Sequence, residues 1–210
     1  MALKGRGPVE YLNRQRKAKM IEAFLNDAID RSVNGCTILD VGCGNGQISE
    51  YFMLNNTVYG VDVEDKRDDS GSKYQFSLIQ DETLPFEENM FDIVISHHVI
   101  EHVNNQTKHL SEIKRVLKKD GYAYLGCPNK SSPFMAGHVG NDSVLTWNEA
   151  IALFGTVKFS WEEYYTRFLS NPDKYHCELK IGKYIPSIFI NLFKRWYPSH
   201  CFVLESFDQD

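Results

Sequence analysis

ILDVGCGNGQIS, residues 38–49, sets Gly42, Gly44 and Gly46 directly behind a short apolar run that contains Asp40. Glycine reaches positive φ freely and lacks the Cβ that would block a ligand lying against the chain. Alternating glycines between an apolar run and a helical pattern therefore mark a loop that something approaches closely. Its amide groups, together with the positive end of the following helix, suit a carboxylate or a phosphate. A dinucleotide fingerprint G-x-G-x-x-G beginning at Gly42 requires glycine at position 47, where Gln47 stands. The pattern is D-x-G-x-G-x-G instead. Asp62 closes the next apolar run, 22 positions after Asp40, and a carboxylate there accepts hydrogen bonds from both hydroxyls of a ribose. A ribose is expected and a pyrophosphate is not.

Outward from this loop the chain alternates between two periods. Tyr11 to Ile29 carries apolar residues at three-and-four spacing, which predicts a helix, and Asn34-Gly35 ends it. Thr37 to Val41, Thr57 to Val61, Tyr74 to Ile79 and Phe91 to Ser96 read as strands, the last (FDIVIS) apolar enough for burial on both faces. Gln47 to Leu54 and Thr107 to Leu117 read as helices. Asp120-Gly121 is expected to stop the second, and Tyr122 to Gly126 to open a fifth strand. Strands alternating with helices imply a parallel sheet covered on both faces, with ligands beyond the carboxyl ends of its strands. Farther on, Thr146 with Glu149 and Ser160 with Glu163 have the spacing of capping boxes, and Pro186 opens a further apolar helical pattern. A final strand, CFVLE, covers residues 201–205.

With 210 residues, 42% apolar and 24% charged, the chain suits one globular domain over 1–210: an N-terminal helical cap (1–30), a binding core (37–129) and a substrate-side region (130–200). A net charge of -5 argues against bulk nucleic acid as a partner. The basic residues Lys4, Arg6, Arg14, Arg16, Lys17 and Lys19 are read as a solvated helix face. Five scattered cysteines without a C-x-x-C pair fit reduced thiols, and the polar start resembles no secretory leader, so a cytoplasmic location is expected. The apolar stretch 185–196, with Lys194 and Arg195 at its end, is a candidate membrane-surface contact.

Four stretches in order, ILDVGCGNG, VYGVDVED, QDETLPFEENMFDIVISHHVIEHV and HLSEIKRVLKKDGYAYLGCPN, resemble the successive motifs of class I S-adenosylmethionine-dependent methyltransferases over Thr37 to Asn129. The resemblance implies a Rossmann-like, doubly wound α/β fold with a mostly parallel seven-stranded sheet and helices on both faces. It implies S-adenosylmethionine as cofactor, with Asp40, Gly42, Gly44 and Gly46 at its methionine part and Asp62 on the ribose. Asp81 would take the adenine amino group, Glu82 would lie at the ring edge, and Ser96 and His97, just past the fourth strand, would border the sulfonium. It further implies a small-molecule, sugar or lipid-linked methyl acceptor, with oxygen as the favoured target.

Methyl transfer is an in-line displacement at an activated carbon, so alignment contributes most. Orientation lowers a barrier by roughly 7–11 kcal/mol, and a general base adds a factor of about 10²–10⁴ where the acceptor must lose a proton. His97 and His98 are the candidate bases. His98, Glu101 and His102 follow the fourth strand at helical spacing. They resemble the E-x-x-E-H metal motif of some ubiquinone-pathway and small-RNA 2'-O-methyltransferases, with His98 in place of the first glutamate. Magnesium prefers oxygen, so a divalent metal on Glu101, His102 and His138 is the weaker expectation. Two other classes stay open: a noncatalytic or partner-dependent S-adenosylmethionine-binding subunit, and an NAD-dependent oxidoreductase, which Gln47 disfavours.

Overall fold

The computed structural model describes residues 8–67, 74–132, 143–160 and 199–205, with the side chains of 8–13 left aside. The expectations for His138, the helix after Ser160, the stretch 185–196 and Cys177 lie outside these residues.

Helix α1 (Pro8–Ile29) leads into β1 (Thr37–Val41), the short helix α2 (Gln47–Phe52), β2 (Thr57–Asp62), β3 (Gln75–Leu78) and β4 (Phe91–His97). Helix α3 (Gln106–Val116), β5 (Leu117–Pro128), α4 (Trp147–Phe154), β6 (Phe159–Ser160) and β7 (Ser199–Glu205) follow. The described strands form one seven-stranded sheet in the order β3-β2-β1-β4-β5-β7-β6. The pairs from β3 to β5 are parallel, and β7 runs antiparallel to both β5 and β6. Strand order reverses between β1 and β4, which places the expected binding crevice at their carboxyl ends.

Side-chain alternation along each strand builds two cores. Ile38, Ile93, Ile95, Tyr124 and Val203 point to the face covered by α1 and α2, while Leu39, Val94, Ala123, Leu125, Phe202 and Leu204 point to the face under α3 and α4. Because β1 and β4 are buried on both faces, they read as continuous apolar runs rather than as alternation. Phe24 of α1 sits edge-on to Tyr124 with ring centroids 5.7 Å apart and lies 5.2 Å from Phe159, which fastens α1 across the sheet.

Local chemistry moved several predicted boundaries. Helix α3 stops at Val116, and the chain enters β5 at once, so Asp120-Gly121 lies within β5 and not at a helix end. Pairing steps from Phe91↔Leu117 to Ile93↔Tyr122, so the residues between them bulge out, with Gly121 at their end. The Thr146–Glu149 capping box opens α4 as expected. Ser160 instead pairs with Phe202 as part of β6, a strand too short to leave a periodic signal. Helix α2 ends at Phe52 and β3 at Leu78, each shorter than its apolar pattern.

Two buried histidines have structural places. His109 of α3 bonds Ser96 through Nε2 (3.1 Å), and His200 of β7 packs on Trp147. Burial lowers each to about 4. Folded values below the ordinary 6.5 mean that the unfolded chain binds more protons between about pH 4 and 6.5. This contribution to stability is complete above pH 6.5 and is lost as pH falls through that window. Urea midpoints measured across it should therefore fall on acidification, with a shallower slope in His200→Gln. Phe24→Ala should cost about 3–5 kcal/mol in the same assay, because a large ring leaves a fully packed site.

Candidate functional site

The three loop glycines all have positive φ (69, 59 and 81), yet they serve different ends. A Cβ at Gly42 would strike the Val99 side chain, and one at Gly46 would strike the Tyr74 ring. Their bareness lets the protein close on itself. A Cβ at Gly44 would meet nothing within 4 Å, so there the bare backbone borders open space. The loop is held rigid by Gly42 and Cys43 N–H donating to Val61 O (2.8 and 3.1 Å) and by Gly46 N–H donating to Cys43 O (2.9 Å). Helix α2 is a six-residue helix, so these loop amides, and not a long helix end, shape the site.

Two carboxyl groups close off the loop. Asp62, at the end of β2, accepts from Gly44 N–H at 2.8 Å and from Glu64 N–H at 3.2 Å. Each oxygen keeps lone-pair capacity for ligand hydroxyls beyond these bonds. Asp40, within β1, is 3% exposed and accepts from Ser49 Oγ at 2.6 Å. Burial pushes its carboxyl up to about 7, and nearby Asp62 adds to this, while the Ser49 bond and the charge of Arg14 oppose it. A buried carboxyl balanced near neutrality beside an open, glycine-floored space suits a ligand that carries a positive charge next to polar hydroxyls. The donor set therefore fits an amino-acid moiety joined to a ribose.

Strand β4 contributes Ser96 and His97 from within its span, not from beyond it. As neighbours in a strand they face opposite ways. Ser96 turns under α3, where its Oγ lies 3.1 Å from His109 Nε2. His97 turns toward α1, where its Nδ1 lies 3.3 Å from the Tyr124 hydroxyl, which donates to Cys201 Sγ (3.1 Å). Gly126 is bare because the His97 ring occupies the place of its Cβ. Burial holds His97 well below its ordinary value, and the neighbouring His98, Lys17 and Arg14 act in the same direction. Its Nε2 is buried without a hydrogen-bond partner among the described residues.

Lys17 and Arg14 are residues the sequence reading set aside as a solvated face. Lys17 is partly buried, and desolvation followed by the charge of Arg14 lowers it. Both act on His97 and Arg14 on Asp40, so α1 turns two cations toward the sheet's carboxyl edge. Their three-residue spacing on one helix face was the available signal.

The remaining expectations fare unevenly. Asp81 is exposed and accepts from Thr83 N–H (2.7 Å) and from Lys108 (3.2 Å); both of its oxygens are thus engaged outside the glycine loop. Glu82 is buried, and its Oε1 accepts from Asn104 and Asn105 N–H (2.7 and 3.2 Å), tying the loop after β3 to the start of α3. Residues 98–104 form turns rather than a helix. Even so, His98 Nδ1 and His102 Nε2 converge on Glu101 Oε1 at 3.7 and 3.9 Å. No group of three or more His, Cys, Asp or Glu side chains among the described residues is arranged to hold a metal ion. No described helix is long and apolar enough to cross a membrane.

Comparisons with known proteins agree with this geometry. Residues 39–125 match the model of a methyltransferase domain. The ubiquinone biosynthesis O-methyltransferase of Pelagibacter ubique is 26% identical over 141 residues, covering 62% of this chain and 58% of that protein. A human mitochondrial arginine-hydroxylase is 35% identical over 91 residues, 40% of this chain and 26% of its own length. The chain spans about half the length of the curated relatives it matches. Among solved structures, a Haemonchus contortus phosphoethanolamine N-methyltransferase in complex with S-adenosyl-L-methionine superposes with a TM-score of 0.61 at 15% identity, over 90% of this chain and 53% of that one. At that identity the likeness speaks for the fold. The matched segment spans the glycine loop, Asp62 and the β1/β4 crevice, so this part of the chain is similar to a methyltransferase domain, and its fold is that of the solved methyltransferases.

Proposed function

We propose that the chain binds S-adenosylmethionine over Gly44 and transfers its methyl group to an oxygen of a small-molecule, sugar or lipid-linked acceptor. The observation that carries the reading is the open space at Gly44, whose N–H is bonded to Asp62, with the buried carboxyl of Asp40 close enough to Asp62 to feel its charge. The bound cofactor supplies a methyl group activated by positive sulfur. The chain's own contribution is alignment: Asp62 for the ribose hydroxyls, Asp40 for the charged methionine end, and His97 or His98 at the end of β4 for the acceptor. Oxygen is favoured because the relatives named for ubiquinone biosynthesis are O-methyltransferases, and because His97 and His98 at the end of β4 are candidate proton acceptors.

A second reading has its own observation. The similarity to an arginine-hydroxylase shows that chains of this kind bear names of other chemistry, so cofactor binding without methyl transfer, or transfer only beside a partner, is the alternative. Turnover of S-adenosylmethionine to S-adenosylhomocysteine by the chain alone, over a panel of hydroxyl acceptors, separates the two.

Isothermal titration should show binding of S-adenosylmethionine and S-adenosylhomocysteine but not NAD. Asp62→Ala and Gly44→Ala should each weaken it at least tenfold. At φ +59 a Cβ costs about 1–2 kcal/mol, so Gly44→Ala remains folded while filling the ligand's space. Asp81→Ala should leave binding within about twofold, since its carboxylate serves a turn and Lys108; a larger loss would restore the adenine role to it.

The balance at Asp40 makes a further prediction. A cationic ligand favours the carboxylate, so binding near pH 6.5 should release a proton, and affinity should rise with pH until the carboxyl is already ionised above about 7. Binding heats compared in buffers of different ionisation enthalpy measure the proton, and Asp40→Asn should abolish its release.

A further inference from the structure

One face of α1 changes from apolar to basic as it nears the sheet's carboxyl edge. Ala18, Ile21, Phe24, Leu25 and Ala28 recur at three-and-four spacing and are buried against the sheet. Continued toward the start of the helix, the same face reaches Lys17 and Arg14, one turn before Ile21 and Ala18. Phe24 is fixed over Tyr124 of β5, and Lys17 stands seven residues earlier, about 10 Å along the helix. That step carries Lys17 to the edge where β4 ends and β7 begins, and its charge acts on both His97 and Cys201.

Lys17 and Arg14 are each partly buried, and among the described residues neither side chain forms a hydrogen bond or an ion pair. Arg14 acts on Asp40, but that carboxyl is bonded to Ser49 and balanced near neutrality. Desolvation, and then the charge of Arg14, disfavours the ammonium of Lys17. Two like charges partly withdrawn from water are unfavourable together unless an anion joins them. A second group at this edge also lacks a partner. His97 is 8% exposed, and its Nε2 is buried with no hydrogen bond among the described residues. Such an atom calls for a partner from outside the chain, water or ligand.

The half of the crevice involved decides which ligand this is. The cofactor reading uses the β1–β2 half, with Gly44 and Asp62. Lys17 and His97 lie toward the other half, where β4, β5 and β7 are neighbours in the sheet. We propose that Lys17 and Arg14 form an anion-recognition subsite for the acceptor, so that the molecule methylated carries a compact oxyanion, carboxylate or phosphate, besides the group that is methylated. This rests on the methyl-transfer reading and narrows its acceptor class. The oxyanion sits against the ammonium and the guanidinium, whose paired N–H donors match its geometry. His97 Nε2 meets a polar atom of the same molecule. An anion held there orients the acceptor, and an uncharged analogue is rejected because it leaves the cations unpaired.

Nuclear magnetic resonance titrations of the full chain saturated with S-adenosylhomocysteine test the subsite without turnover. Benzoate and phenyl phosphate present the two oxyanions, and benzamide presents the same ring without charge. The better of the two anions should bind about tenfold more tightly than benzamide, and that anion names the oxyanion. Lys17→Gln should remove most of the preference and Lys17→Arg should keep it. Benzamide binding should be the same in both variants, which shows that the site is folded. Equal affinity for all three probes while S-adenosylhomocysteine binds would overturn the subsite and leave the methyl-transfer reading standing. A loss of S-adenosylhomocysteine affinity in Lys17→Gln, with the anion preference unmoved, would also overturn it by giving the cation to the cofactor. If S-adenosylhomocysteine does not bind and the preference persists without it, the methyl-transfer reading falls and the assignment to an acceptor falls with it.

Discussion

A carboxyl group inside the central strand is the constraint on which the site depends. Asp40 lies in β1, hydrogen-bonded on both sides by β2 and β4, where the ionised form is costly. One short bond from Ser49 does not offset that cost, and Asp62 nearby adds to it. The fold thus maintains, at the point where strand order reverses, a carboxyl whose burial outweighs the Ser49 bond and the charge of Arg14. Hydrophobic burial on both faces of β1 and β4 holds that point rigid, so a cation there meets a carboxyl that needs little rearrangement to receive it.

The parallel core was legible because its signals are local. Continuous apolar strands, a glycine run and an aspartate at the next strand end each follow from backbone geometry that a neighbouring residue cannot disguise. The separate duties of the glycines were not legible. Only the approach of Val99 to Gly42 and of Tyr74 to Gly46 shows that two of them serve packing and one serves open space. Asp81 illustrates a related point. An acid in a turn and an acid at a ligand look alike in sequence, and the partner that separates them, Lys108, lies 27 residues away.

Strand parity explains the other differences. Consecutive strand residues face opposite layers, so Ser96 and His97 present their side chains to different surroundings. Once β4 extends through His97, Ser96 belongs to the α3 layer with His109 and His97 to the α1 layer with Tyr124. The basic stretch of α1 was read as solvated because its cations cluster, although Ala18 and Ile21, four residues past Arg14 and Lys17, are buried. Their proximity to His97 arises from how Phe24, farther along the helix, locks α1 onto Tyr124.

The two adjacent histidines show how one strand end supports two different imidazoles. His97 is still in the sheet, so its ring is buried and its proton affinity suppressed. His98 has left the sheet through a left-handed turn that swings its ring to the open side, between the first residue of β7 and a buried carboxylate. The two ring centroids lie 4.4 Å apart. The left-handed backbone at position 98 is the structural means of separating the two rings.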